Sequence, residues 1–178
     1  MSIARNTAYI TFAFVLQKIL AFFYIALIAR NIGPELIGKY FFALSFTTIF
    51  SIFVDMGLSP ILIREVAKYN EKAKKYFNNI VTLKLIFTVF TLIAIFIVIN
   101  LMGYDSFTKN LVYIASLVML FDSLTLTFYA LLRSHQVLKF EALGIILYQV
   151  ITVILGGIIV LTVKSIPLLI GVLAFSSF

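Results

Sequence analysis

Long apolar stretches alternate with short polar ones along most of the chain. A helix needs about 20 residues to cross about 30 Å of hydrocarbon, and five stretches reach that length: 7–29, 38–58, 79–101, 110–132 and 142–163. A sixth begins near Ile166 and runs to Phe178, which at about 1.5 Å per residue falls short of a crossing. We therefore expect a truncated sixth helix and a fragment of a longer membrane protein. A re-entrant or terminal half-helix is the alternative.

Composition assigns these stretches to lipid rather than to a soluble core. Of the 178 residues, 63% are hydrophobic and 12% are charged, and the mean hydropathy is +1.15. A soluble domain of this length does not carry so much apolar surface. The predicted fold is an all-α membrane protein, with residues 1–178 forming a single transmembrane domain.

The connection between the second and third stretches has a different pattern. Ser59 and Pro60 suit the start of a helix, and apolar residues then recur at three- and four-residue steps opposite a face of lysines. This pattern predicts an amphipathic helix over about 60–76 on the cytoplasmic surface. Lys84, further along, is interpreted as a snorkelling anchor rather than a site residue.

Positive charge is distributed unequally between the two sides of the predicted bundle. Cytoplasmic loops retain Lys and Arg, so the side with more of them is predicted to face the cytoplasm. The amino-terminal side has eight: Arg5, Arg64, Lys68, Lys72, Lys74, Lys75, Arg133 and Lys139. The opposite side has four: Arg30, Lys39, Lys109 and Lys164. The amino terminus is therefore predicted to be cytoplasmic, in a multi-pass protein of the cell membrane.

Several classes of function find no support in the sequence. There is no cysteine and a single histidine, His135, so a metal site cannot be built from these ligands. No Ser-His-Asp set, paired carboxylates or phosphate-binding loop is present. We expect no enzyme, no cofactor and no nucleic-acid partner, since the net charge of +7 belongs to loops that face anionic lipid.

Lys18 lies at the middle of the first apolar stretch. A lysine at the centre of a lipid-facing helix costs about 2.5 to 3.5 kcal/mol, so its side chain should face a cavity or the bundle interior. Helical spacing puts it on one face with Thr7 and Thr11, beside a face with Gln17 and Tyr24. Lys18 is either a cation that contacts an anionic substrate or one half of a buried ion pair with Asp122.

Two carboxylates also lie within apolar stretches. Asp122 is at the middle of the fourth, and Asp55 is near the inner end of the second, below Thr48 and Ser51. Both are candidates for coupling or gating. A structural pairing of Asp55, near Arg64, at the cytoplasmic rim is the favoured interpretation for that residue.

A basic cluster and a glycine pair complete the candidate features. Arg133, His135 and Lys139 follow the fourth stretch and serve either as ordinary cytoplasmic anchors or as a contact for phosphate. Gly156-Gly157 in the fifth stretch permits close approach of a neighbouring helix, and packing is favoured over gating there.

Two segments, "ARNIGPELIGKYFFALSF" and "DMGLSPILIREVAK", resemble the first-to-second-helix region of oligosaccharide flippases. These belong to the polysaccharide-transport branch of the multidrug/oligosaccharidyl-lipid/polysaccharide exporter superfamily. The basic connection "YALLRSHQVLKFEALG" is also similar to that family. The matching motif residues are Gly33, Pro34, Gly38, Tyr40, Asp55, Gly57, Leu58, Arg64 and Glu65.

The resemblance implies a fold of two six-helix lobes around a cationic cavity that opens alternately to each side. This chain would be most of the first lobe, and the second lobe would be missing. The implied substrate is a polyprenyl-linked oligosaccharide. Lipid II flippases of the superfamily have an Arg-Asp pair where this chain has Tyr24 and Ile25, which argues against a peptidoglycan precursor. Lys18 and Arg30 remain the candidate cations of the first helix.

Two other hypotheses stay open. One is an ion-coupled exporter of small molecules from the same superfamily, with Asp122 or Asp55 as the coupling carboxylate. The other is a membrane scaffold or assembly subunit that transports nothing.

Overall fold

The computed structural model describes residues 3–177, in which every regular element is helical. The helices are α1 (Ile3–Ile32), α2 (Pro34–Asp55), α3 (Leu58–Lys68), α4 (Ala73–Leu101), α5 (Ser106–Ser134), α6 (Leu138–Thr162) and α7 (Ile166–Ser177). Five of them, α1, α2, α4, α5 and α6, are long and apolar enough to cross a membrane. The chain is an all-α membrane protein, as the apolar pattern predicted. Phe178, where the predicted sixth stretch ends, lies outside the described residues.

Several helices extend beyond their apolar stretches. The apolar pattern predicted a connection over residues 30–37, whereas in the structure Gly33 alone separates α1 from α2. Its φ of +88° is a conformation that glycine adopts without strain. Pro34 follows at the first position of α2, where its missing N–H costs no hydrogen bond. Hydropathy marks where lipid contact begins, whereas the helix continues as long as its backbone geometry allows.

The amphipathic segment differs from the predicted helix over 60–76. Met56 and Gly57 both have positive φ, +39° and +82°, and α3 begins directly after them at Leu58. Ser59 does not cap this helix, because its hydroxyl donates to the Asp55 carboxylate at 2.6 Å. The helix ends at Lys68 and a 3-10 turn, Asn70–Lys72, leads into α4. The regular spacing of apolar residues continues across the turn at Asn70–Lys72. The spacing alone therefore did not predict where the helix ends.

The bundle is organised around α5 and α6. Helix α5 packs against α2, α3, α4 and α7, while α1 packs mainly against α6. Leu111, Val112 and Ala115 of α5 are completely buried in the main core. Leu62 and Val66 of α3 form a second small core with Ile80 and Ala130. Helices α2, α3, α4 and α5 follow one another through short connections and pack together. Helix α1, by contrast, packs against α6, which lies far along the chain.

Two tyrosine rings fit against glycines of α6. A Cβ built on Gly156 would collide with the ring of Tyr24 in α1, and one built on Gly144 would collide with Tyr129 of α5. Gly157, by contrast, has Leu27 Cδ2 at an ordinary 3.8 Å from such a Cβ. Gly156 therefore has the packing role that was favoured for the glycine pair.

Side-chain contacts tie together the loops at each end of the bundle. At the end that contains the start of α1, which we call the amino-terminal face, Asn6 Nδ2 donates to the Gln136 carbonyl at 2.7 Å. At the opposite face, Lys39 Nζ lies 3.5 Å from Asp105 Oδ2. The Thr108 hydroxyl donates to Asp105 at 2.6 Å and lowers the pKa of that carboxyl. Asp105 thus stays ionised at neutral pH, and its stabilising contribution is lost only as acid carries the pH down through the lowered pKa.

Candidate functional site

Asp122 of α5 lies between two cavities. One, the α2–α5 cavity, has a volume of about 680 Å³ and is bordered by α2, α3 and α5. The other, the α5–α6 cavity, has a volume of about 670 Å³ and is bordered by α1, α5, α6 and α7. Asp122, Leu126 and Arg133 border both. The central helix therefore presents the same carboxylate to two separate spaces.

Hydroxyl groups line much of the α2–α5 cavity. Helix α2 brings them there because its polar residues recur on the face turned toward α5. The polar and charged lining residues are Thr47, Thr48, Ser51, Asp55, Ser59, Asp122, Ser123 and Arg133. Such a wall can replace water around a solute that has many hydroxyls.

The α5–α6 cavity combines aromatic rings with polar groups. Its lining includes Phe14, Gln17, Thr125, Phe128, Tyr129, Tyr148, Ser176 and Ser177. Ser177 donates a hydrogen bond to Asp122 Oδ1, and Thr125 donates to the Ser177 carbonyl at 2.7 Å. These two bonds join α7 to α5 and fix the position of the Asp122 carboxylate.

A buried ion pair forms at the amino-terminal end of the α2–α5 cavity. Lys84 Nζ of α4 lies 2.6 Å from Asp55 Oδ1, and the lysine side chain is 1% exposed. The ammonium also donates to Ser59 Oγ at 3.0 Å and to the Ser123 carbonyl at 3.3 Å. The prediction that Lys84 snorkels as an anchor is wrong, because its side chain turns inward to acceptors on three other helices.

Asp55 does take a structural partner, but not the expected one. Arg64 pairs with its neighbour Glu65, at 3.0 Å, and is exposed on α3. The turn at Met56 and Gly57 directs α3 away from the end of α2, and Lys84 approaches Asp55 from α4. The pairing partner thus comes from a distant helix.

Arg133 forms a second charge pair at the amino-terminal face of the bundle, with Glu141. Its Nε lies 3.1 and 3.0 Å from the two carboxylate oxygens of Glu141, and the Glu141 side chain is 1% exposed. Both residues border a third cavity of about 550 Å³, together with Asn6. Arg133 links α5 to α6 and still reaches all three cavities.

The three residues of the basic cluster do not converge. His135 Nε2 is 3.0 Å from Asn70 Oδ1, and Lys139 Nζ is 4.7 Å from the centre of the Phe140 ring. Neither His135 nor Lys139 borders the cavities just described. A joint phosphate contact by all three is therefore not assembled in this conformation.

The predicted residues of α1 divide between the surface and the interior. Lys18, Thr11 and Arg30 are exposed, Gln17 borders the α5–α6 cavity, and Tyr24 is buried against Gly156. Among the described residues Lys18 has no ion pair, so the alternative pairing with Asp122 is wrong. Asp122 instead accepts from Ser177, because the face of α1 that meets the bundle carries Tyr24 and not Lys18.

Sequence reasoning missed two residues that complete the site. Glu141 is wholly buried beside Arg133, and Ser177 binds Asp122. Glu141 could have been noticed as an acid eight positions after a base across a short turn. Ser177 offered no signal, since a serine near the end of an apolar stretch is unremarkable in itself.

Comparisons with known proteins agree with one another. The family described as "Polysaccharide biosynthesis protein" matches residues 3–178. The chain is similar to the capsular polysaccharide biosynthesis protein CapF of Staphylococcus aureus, with 26% identity over 155 residues. That alignment covers 87% of this chain but 37% of the relative, so the chain spans well under half of the relative's length. No solved structure matches the chain significantly.

Proposed function

The chain belongs to the polysaccharide biosynthesis protein family, and we propose that it serves there by moving a polyprenyl-linked oligosaccharide across the cell membrane. The finer activity goes beyond membership of the family. It is supported by the chemistry of the cavities and by the physical difficulty of bringing a sugar through lipid.

The difficulty is desolvation. Each sugar hydroxyl that leaves water for hydrocarbon without a partner costs several kcal/mol, about 4 to 8 on a cyclohexane scale. A transporter lowers this barrier by offering hydrogen-bonding groups along the route while the polyprenyl tail stays in the bilayer. The hydroxyl-lined α2–α5 cavity provides groups of that kind.

The observation that carries the proposal is the position of Asp122. A carboxylate accepts hydrogen bonds strongly, and this one is exposed at the boundary of two cavities. Aromatic rings such as Tyr129 and Tyr148 stand in the same lining and offer flat surfaces to sugar rings. We assign Asp122 to contact with sugar hydroxyls.

The phosphate part of the cargo requires a different group. Lys18 is an exposed cation halfway along α1, with Thr11 two turns before it and Arg30 near the far end. We propose that Lys18 contacts the phosphate. The cavity opening would alternate between the two sides as this lobe rocks against a second one, with the amino-terminal face toward the cytoplasm.

The test is to change the Asp122 carboxylate in the native gene. In Asp122→Asn cells we expect surface polysaccharide to fall at least tenfold while lipid-linked oligosaccharide accumulates, because one charge-assisted acceptor contributes about 1.5–3 kcal/mol. Asp105→Asn is the matched control, since Asn also caps helices well. Normal export in Asp122→Asn, with normal protein amount, would sink the role of Asp122.

The same strains address the two competing hypotheses. An ion-coupled exporter of small molecules predicts altered drug susceptibility in Asp122→Asn cells, with surface polysaccharide unchanged. A scaffold predicts that Asp122→Asn has no effect while deletion of the gene disrupts a complex. A flippase predicts loss of polysaccharide with drug susceptibility unchanged.

A further inference from the structure

The amino-terminal end of the α2–α5 cavity contains a compact group of polar residues. We call Asp55, Ser59, Lys84 and Ser123 the Asp55 corner. They come from four helices, α2, α3, α4 and α5, so bundle packing is what brings them together. The roles assigned above to Asp122 and Lys18 make no use of this group.

Lys84 and Asp55 differ sharply in their access to the cavity. The lysine side chain is 1% exposed, whereas that of Asp55 is 33% exposed. Ser59, Ser123 and Asp55 border the cavity, and Lys84 does not. A solute in the cavity would therefore meet the carboxylate and not the ammonium behind it.

The contacts of Lys84 fix the carboxylate in one position. Its ammonium has three acceptors within 3.3 Å, which matches the three protons that it donates. Ser59 donates to the same Oδ1 atom of Asp55 at 2.6 Å. A carboxylate held by two donors on one oxygen is pre-organised, so little ordering is required when it accepts a further hydrogen bond.

Ser123 adds to the corner a hydroxyl that lacks a hydrogen-bond partner within residues 3–177. The residue is 7% exposed, and among the described residues its buried hydroxyl has no hydrogen-bond partner. Buried hydroxyls normally have one. Ser123 and Asp55 border the same cavity, so an unpaired hydroxyl and a fixed carboxylate are together suited to a ligand that both donates and accepts hydrogen bonds.

We propose that the Asp55 corner is a subsite for a sugar ring of the transported glycan. Asp55 accepts from one sugar hydroxyl, Ser123 exchanges a hydrogen bond with another, and Lys84 is the positioning residue for Asp55. An exposed carboxylate repels phosphate, so the corner binds the glycan and not the pyrophosphate. This inference rests on the proposed function and adds to it which part of the cargo meets α2.

The central variant replaces both charges, Asp55→Asn with Lys84→Met. Removing both members leaves no unpaired buried charge, so we expect normal protein amount in the membrane of the native host. The Asp55 carboxylate is nevertheless gone, and surface polysaccharide should fall at least tenfold. A purely structural pair predicts the opposite, normal export from the double variant.

Ser123→Ala provides an independent measurement. Because the hydroxyl has no hydrogen-bond partner in the described part of the chain, its removal should leave protein amount unchanged and reduce export about two- to tenfold, as expected for one lost hydrogen bond. Ser116→Ala is the control on the same helix, since Ser116 is equally buried, its hydroxyl donates to the Tyr113 carbonyl within α5, and it borders none of the cavities described above. If the double variant fails to accumulate, Ser123→Ala decides the question alone.

A cargo-dependent readout separates sugar contact from structural support. Thermal unfolding of the full-length protein is measured in membranes of two host strains, one that accumulates lipid-linked oligosaccharide and one that makes the lipid carrier without sugar. Bound cargo should raise the melting temperature of the wild type, and this difference should disappear in the double variant and shrink in Ser123→Ala. A full difference in both variants would overturn the subsite.

Failure of this inference is distinguishable from failure of the proposed function. If deletion of the whole gene leaves surface polysaccharide intact, the proposed function is wrong. If deletion abolishes polysaccharide while the double variant and Ser123→Ala both export normally, the Asp55 subsite alone is wrong.

Discussion

At the scale of single residues, burial decides what a charged group in a membrane helix does. Lys84 lies among acceptors from three helices, while Lys18 is exposed on α1. An ion pair broken from one side leaves the other charge behind, and the cost depends on whether that charge can reach water. Since Asp55 borders a cavity and Lys84 does not, the two halves of the pair are energetically unequal.

Asp55→Ala should therefore destabilise the protein more than Lys84→Met does. The alanine variant leaves the ammonium of a lysine side chain that is 1% exposed without its counter-charge, which costs about 3–5 kcal/mol. The methionine variant leaves a carboxylate that the cavity can hydrate, and should cost less than half as much. Thermal unfolding in detergent at pH 7 measures both.

The reverse order of stability would mean that the cavity does not hydrate Asp55. The exposed pair Arg64 and Glu65 supplies the control. Arg64→Gln should change stability by less than about 1 kcal/mol, as surface pairs do.

The sequence predicts which charges lie at membrane depth but not which way they turn. Lys18 and Lys84 both interrupt apolar runs, and each run alone permits a snorkelling or an inward side chain. The choice depends on acceptors contributed by other helices, such as Ser123 and Asp55 for Lys84. Those neighbours are set by the packing of the bundle, which no single segment encodes.

At the scale of helices, α6 accommodates tyrosine rings from two neighbouring helices, α1 and α5. Tyr24 of α1 and Tyr129 of α5 each lie against a glycine where a methyl group would not fit. The contact of Tyr24 with Gly156 fixes the axial position of α1 relative to α6, because a shift along the helix axis would bring the tyrosine ring against a side chain.

Gly156→Ala should destabilise the α1–α6 contact by about 1–3 kcal/mol, the usual cost of overpacking. Gly157→Ala is the matched control, since its Cβ would meet Leu27 at an ordinary 3.8 Å, and we expect little change. The melting temperature of each variant in detergent provides the measurement.

A double variant tests whether Tyr24 is the cause. Gly156→Ala combined with Tyr24→Leu should recover part of the lost stability, because the clash is with the ring. Equal destabilisation by Gly156→Ala and Gly157→Ala would mean that the Tyr24 ring does not cause the loss of stability.

Helix ends show where segment patterns stop being informative. The apolar spacing correctly indicated an amphipathic element after α2, yet α3 ends at Lys68 and a turn precedes α4. Hydrophobic spacing reports which face is buried. It does not report the positive φ of Met56 and Gly57, which sets where α3 begins.

At the scale of the whole molecule, the two cavities on either side of α5 should differ from the outer surface in water content. Thr48 and Ser51 of α2 lie in the α2–α5 cavity, while Ile49 is exposed elsewhere on the same helix, with 63% of its surface accessible. In a membrane, an exposed isoleucine on an apolar helix contacts lipid.

Single-cysteine labelling can check this arrangement, because these 178 residues contain no cysteine. Ser51→Cys should react with a small water-soluble thiol reagent, since only the thiolate reacts and it forms in contact with water. Ile49→Cys, two residues away, should remain unlabelled in intact membranes. Absence of labelling at Ser51→Cys would mean that the cavity is not hydrated, and labelling of Ile49→Cys would mean that this face of α2 does not contact lipid.

The number of long helices followed from length and hydropathy, because each span must satisfy its own backbone in lipid. The arrangement of those helices did not follow. That α1 packs on α6 depends on the fit of Tyr24 to Gly156, a contact between residues that lie far apart in sequence. The cavities, which exist only between assembled helices, were for the same reason beyond segment-level prediction.

The packing of α1 on α6 also imposes an order in time on synthesis. Helix α1 ends at Ile32 and α6 begins at Leu138, so roughly 100 residues must be translated before the partner exists. At about 5–20 residues per second this takes on the order of 5–20 s. During that interval α1, with Lys18 in its middle, has no docking surface from α6. The nascent chain is thus most open to insertion factors and proteases before α6 leaves the ribosome.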